Sequence, residues 1–117
     1  MIFQNEDTIE TKMPEVKVAI IGYIDDAQPG WVECSLVDIY GHSWSFIEKV
    51  PVISQEHLDA NSNYPVAGLI ACSIIKTELD AHKNEVITID TDKPWGVTST
   101  AGTNLFDVHR NQIVDID

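Results

Sequence analysis

Positive charge is what this chain has least of: seven lysines and arginines stand against nineteen aspartates and glutamates, for a formal charge of −12. Both halves share the deficit, with eleven acids to three bases in the first sixty residues and eight to four in the rest. Such a surface repels nucleic-acid phosphates and anionic lipid, and it attracts cationic partners. Long hydrophobic runs are also missing. The longest, Val18–Ile21 and Val66–Cys72, fall far short of the ~18 residues that suggest a membrane span. The opening M-I-F-Q-N-E-D carries no basic region followed by an apolar stretch, so no secretory signal is visible and the expected compartment is the cytoplasm.

Cysteine is sparse as well. Cys34 and Cys72 both sit in apolar, strand-like sequence (W-V-E-C-S-L-V and L-I-A-C-S-I-I). Without a C-x-x-C or a Cys/His cluster they read as reduced core residues. Several chemical signatures are absent too. There is no G-x-S-x-G elbow around Thr98, Ser99 and Thr100, no glycine-rich phosphate loop, and no i, i+4 histidine pair. His42, His57, His82 and His109 are scattered through turns and strand ends and read as surface groups. Asp90 and Asp92, with Glu85 and Asp80 upstream, lack the regular ligand spacing of a calcium loop. Glu33 with Asp38, or Glu48, offers acid–base chemistry only as chance pairs in a carboxylate-rich chain. No metal and no cofactor is expected.

What is present is strand. At 117 residues the chain is one domain. Residues 1–15 read as a lead-in, with Ile2 and Phe3 able to add to an edge strand, and residues 16–117 as a single β-rich domain. Val16, Val18 and Ile20 alternate with Lys17, Ala19, Ile21 and Tyr23, and Gly22 marks a bulge or tight bend. Pro29-Gly30 predicts a turn with a positive φ at the glycine. Trp31–Ile39 follows with Val32, Cys34 and Leu36 inward, then Ser43–Val50 with Trp44 and Phe46 on one face. Ser54 is a candidate cap for a short helical turn within 54–62. Gly68–Lys76, the strand from Val86, Leu105–Val108 and a closing Ile113–Ile116 complete the pattern. About six strands, hairpin-length loops and at most one short helix predict a mainly β fold, a small antiparallel barrel or sandwich.

The aromatics are the other resource. Trp44 and Trp95 are expected to build the core, Trp95 as a lid just after a strand. Trp31, beside the Asp25-Asp26 turn, is expected to be partly exposed. An exposed indole ringed by carboxylates suits a cationic protein partner: the ring supplies affinity and the acids supply steering.

The phrases W-S-F-I-E-K-V-P-V at 44–52, Y-P-V-A-G-L-I-A-C at 64–72 and I-D-T-D-K-P-W-G-V-T-S-T-A-G at 89–102 resemble a family of small bacterial β-rich proteins with no assigned active site. In size and acidity the chain is similar in type to immunity proteins encoded beside bacterial toxins, including contact-dependent growth inhibition systems. That resemblance implies a non-enzymatic inhibitor that covers the site of a basic nuclease toxin. Its expected contacts are Asp25, Asp26, Trp31 and Glu33, with Asp80, Glu85, Asp90 and Asp92 as an alternative face. Two other readings stand beside it. One is a small hydrolase or ligand-binding barrel using a carboxylate or histidine in its mouth; the other is an accessory domain that pairs as a homodimer through a strand edge.

Overall fold

Alternating apolar residues need a second apolar surface to bury them, and this chain supplies it by stacking two antiparallel sheets. The computed structural model describes residues 13–27 and 29–114. Strands β1 (Glu15–Asp25), β2 (Trp31–Val37), β3 (Ser43–Lys49) and β4 (Val66–Ala71) form the larger sheet in the order β3-β2-β1-β4. Strand β8 (Ile113–Val114) joins it by pairing with the start of β1. Strands β5 (Ser73–Leu79), β6 (Glu85–Asp90) and β7 (Leu105–Val108) form the smaller sheet in sequence order. Neither sheet closes on itself, so of the two expected architectures the sandwich is the one present. Most of the expected lead-in lies outside the described residues.

The inward set follows the alternation. Val16, Val18 and Ile20 of β1, Val32, Cys34 and Leu36 of β2, and Phe46 of β3 are buried, facing Ile87 and Ile89 of β6 and Phe106 and Val108 of β7. Each full burial of a Val, Leu, Ile or Phe contributes roughly 1.5–3 kcal/mol before entropy is counted. Three aromatics knit the sheets together edge to face: Phe106 lies 5.4 Å from Trp44 and 5.7 Å from Phe46. Cys34 and Cys72 are free and buried, as their sequence setting implied.

Four sequence expectations change. The apolar stretch read as a single strand over 68–76 breaks at Cys72, where the chain leaves the larger sheet as β4 and enters the smaller as β5. The helical turn is α1 (Val50–Ile53), ahead of the expected 54–62 window, because Pro51 presets the backbone of a first helical turn and needs no N–H there. Tyr23 packs against the core rather than on the outer face with Ile21. Trp95 is no lid. It is 69% exposed, on a turn where Gly96 at φ +70° donates to the Asp92 carbonyl. Val97, two residues on, takes the buried place.

Long connections are pinned by side chains. Asp38 accepts hydrogen bonds from the Tyr40 and His42 amides and from Trp44 Nε1 at 2.9–3.0 Å, which closes the β2–β3 turn. That turn then latches onto the smaller sheet, with the Tyr40 hydroxyl donating to Asp107 Oδ2 at 2.7 Å. The loop after β6 crosses back, and the Thr100 amide donates to the Ser45 carbonyl on β3.

Candidate functional site

A regular strand cannot place two successive residues on one face, but a bulge can. Strand β1 does so twice against β2. Its register steps from Ile20 opposite Cys34 to Gly22 opposite Glu33, and from Tyr23 opposite Val32 to Asp25 opposite Trp31. The extra residues are Ile21 and Ile24, and both are about half exposed, at 47% and 51%. Each shares the solvent side with its neighbour, so Ile21 accompanies Glu33, and Ile24 accompanies Asp25 and Trp31.

The third strand completes this face. Ile47 lies opposite Glu33 and is 43% exposed, while Lys49 lies opposite Trp31. Lys49 Nζ sits over the indole at 5.5 Å from its centroid, a cation–π contact that holds the ring against the sheet. Ser45 Oγ donates to Glu33 Oε2 at 2.8 Å, and the Ala27 amide donates to Asp25 Oδ1 at 2.9 Å. Both carboxylates are thus oriented, each by one of its two oxygens. The result is an apolar centre of Trp31, Ile21, Ile24 and Ile47, bordered by carboxylates.

Asp26 departs from its neighbours. It faces the other side, where its carboxylate meets the Tyr23 hydroxyl; burial first, then Asp26, raises the phenol above its ordinary value. A small cavity of about 300 Å³ opens there, with Glu56, His57 and Asp59 on its wall. The first group of sequence candidates is therefore brought together for Asp25, Trp31 and Glu33, with Asp26 around the corner.

The second group is separated. Asp80 accepts from the His82 and Asn84 amides and organises the β5–β6 turn. Glu85, at the start of β6, forms a paired hydrogen bond with Arg110 at 2.6 and 2.9 Å, and the guanidinium holds its carboxyl below the usual range. Asp90 lies at the far end of β6, about 17 Å away at the rise of a strand. It accepts from Asn104 Nδ2 and the Asp92 amide. Asp92 is exposed beside it. Asp80, Glu85 and Asp90 thus stabilise turns and connections at two ends of one strand.

Sequence reasoning missed Ile21, Ile24, Ile47 and Lys49 as parts of the site. Gly22 inside an apolar run was the one available signal, since it marked the first bulge, which moves Tyr23 inward and Ile24 outward beside Ile21. It also missed a groove of about 980 Å³ along β4, lined among others by Val52, Leu69 and Trp95. Among the described residues, no group of three or more His, Cys, Asp or Glu is arranged to hold a metal. No described helix is long and apolar enough to cross a membrane. Compared with protein-family models, curated proteins and solved structures, the chain matches none.

Proposed function

We propose that this protein is a non-enzymatic binding protein that captures a basic protein partner on the outer face of its larger sheet. An immunity protein that neutralises a basic bacterial toxin domain is the specific form of this reading. One observation carries it: the bulged end of β1 presents Ile21 and Ile24 together with Trp31 on a solvent face that also bears Asp25 and Glu33. A monomer gains nothing from exposing that apolar group, whereas an interface gains its anchor there. The charge of −12 would speed encounter with a cationic partner, and the oriented carboxylates would select its docking geometry. The partner's active site would be covered rather than chemically altered.

The test uses the full chain as bait in extracts of its native cells, compared with Trp31→Ala and with an Asp25→Asn/Glu33→Gln variant. The expected result is a basic protein retained by the native chain, with affinity falling about thirtyfold or more on loss of the indole. Neutralising the two acids should mainly slow association, and added salt should do the same. Retention of acidic proteins only, or binding that neither variant alters, overturns the reading.

A further inference from the structure

The end of the larger sheet offers a second surface, and its geometry follows from one hydrogen bond. The Cys72 amide donates to the Pro14 carbonyl at 3.0 Å, just beyond the pair Ala71 and Glu15. In an antiparallel ladder the hydrogen-bonding residues alternate. Ile70, Gly68 and Val66 therefore bond toward β1, while Ala67, Leu69 and Ala71 point their N–H and C=O groups away from it. Strand β4 is the last in its sheet, and no described residue pairs with that side. These same three residues line the 980 Å³ groove. Pro51 and Val52 of α1 and the exposed Trp95 line it as well. A row of unpaired backbone groups beside an apolar trough is the receptor for an added strand.

Charge decides what that strand carries. Among the described residues, Glu15 and Glu56 line the groove against one lysine, Lys17. Glu56 also borders the adjoining 300 Å³ cavity, together with Asp26, Asp59 and Tyr23. The two spaces share Pro51 and Glu56, so a chain lying along β4 has three carboxylates at one end of its path. A second copy of this protein answers that demand poorly. Its own β4, V-A-G-L-I-A, has no charge, and it would bring a further −12 to the contact.

We infer that β4 receives an extended cationic segment by strand addition, with alternate apolar side chains in the trough and a lysine or arginine in the notch formed by Asp26, Glu56 and Asp59. The inference rests on the reading that the partner is basic, and it assigns that partner a strand. It does not use the Trp31 face, so the two can fail separately.

The probe is a capped peptide alternating lysine with valine, set against its glutamate–valine counterpart and added to the full chain. Amide hydrogen exchange resolved by NMR reads the outcome. The lysine peptide should slow exchange at Ala67, Leu69 and Ala71, and the glutamate peptide should not. Glu56→Gln and Asp59→Asn should each weaken the lysine peptide about two- to fivefold at low salt, the range for exposed charge pairs. Leu69→Lys should abolish binding, whereas Trp31→Ala should leave it unchanged. Four results overturn the inference: no protection with the lysine peptide; equal protection with both peptides; protection without peptide that grows with protein concentration as the mass doubles, which would identify a second copy; or protection without peptide that disappears when residues 1–12 are removed, which would identify the chain's own terminus as the occupant. Loss of partner retention in Trp31→Ala with peptide binding intact would leave the strand receptor standing. The opposite pattern would leave the sheet face standing.

Discussion

Replacing Gly68 with alanine tests how tightly α1 closes on the sheet. Gly68 lies on β4 opposite Val18, buried and facing the core. A Cβ there would meet Ile53 Cγ2 at 2.6 Å, Ile20 Cγ1 at 2.9 Å and Ile20 Cδ1 at 3.0 Å. The two nearest atoms hang directly from a branched Cβ, so neither can swing aside without changing χ1. Overpacking of this kind costs about 1–3 kcal/mol. Its φ lies outside the positive range, so alanine also restricts the unfolded chain and returns about 0.4–1 kcal/mol. The net expectation is a loss of roughly 1–2 kcal/mol, or about 4–8 °C in Tm for a domain of this size. Urea unfolding followed by tryptophan fluorescence measures it. Ile53→Leu moves the branch away from Cβ, so the double variant should be less destabilised than the sum of the singles, by about 0.5–1 kcal/mol. A Gly68→Ala protein as stable as the parent, or strict additivity with Ile53→Leu, would refute the packing argument.

Two further outcomes concern titrating groups. Burial pushes the Asp38 carboxyl up, but hydrogen bonds from Trp44, His42 and Tyr40 outweigh it and hold the carboxyl below its ordinary value. Its contribution is therefore fully present at neutral pH and is lost as pH falls through the lowered value. Asp38→Ala should cost about 2–3 kcal/mol at pH 7 and flatten the acid limb of a stability–pH curve, read by urea unfolding at several pH values. The Cys34 and Cys72 thiols are pushed by burial up to about 12 from an ordinary 9.0. A thiol reagent at pH 8 should label neither in the folded protein and both in urea. Because the fold favours the neutral thiols, stability should hold below pH 9 and decline above it.

Where spacing alone carries the information, the sequence is a good guide. Val32, Cys34 and Leu36 point inward and Trp31, Glu33 and Ser35 outward because a strand has a period of two. Gly30 adopts φ +100° after Pro29, as that dipeptide demands. Partner choice is another matter. β1 bonds to β2, β4 and β8, and the last two lie far along the chain; nothing local in V-A-G-L-I-A-C-S-I-I shows that it spans two sheets. Trp95 illustrates a similar limit. Its hydrophobicity suggested burial, yet Val97 is nearer the right distance from Thr91, whose hydroxyl binds the Val97 carbonyl at 2.7 Å and draws that residue in. The candidate site was legible for Trp31, Asp25 and Glu33, which pair by local hairpin register. Ile47 and Lys49 arrive from a third strand.

The bulges explain how one strand serves both core and surface. With unbroken alternation from Ile20, β1 would send Gly22 and Ile24 inward and Tyr23 outward. A glycine and a distal isoleucine would then face Val32 across the sheet edge, leaving a phenol beside Trp31. Two inserted residues reverse this. Tyr23 turns in opposite Val32, where its ring packs on the core and its hydroxyl reaches Asp26 at the edge. Gly22 and Ile24 turn out, and Ile24 joins Ile21, which faces solvent in either register. The proposed interface thus requires no added element: the exposed apolar face lies where the strand's register is broken, and the first half of β1, regular from Val16 to Ile20, keeps the core.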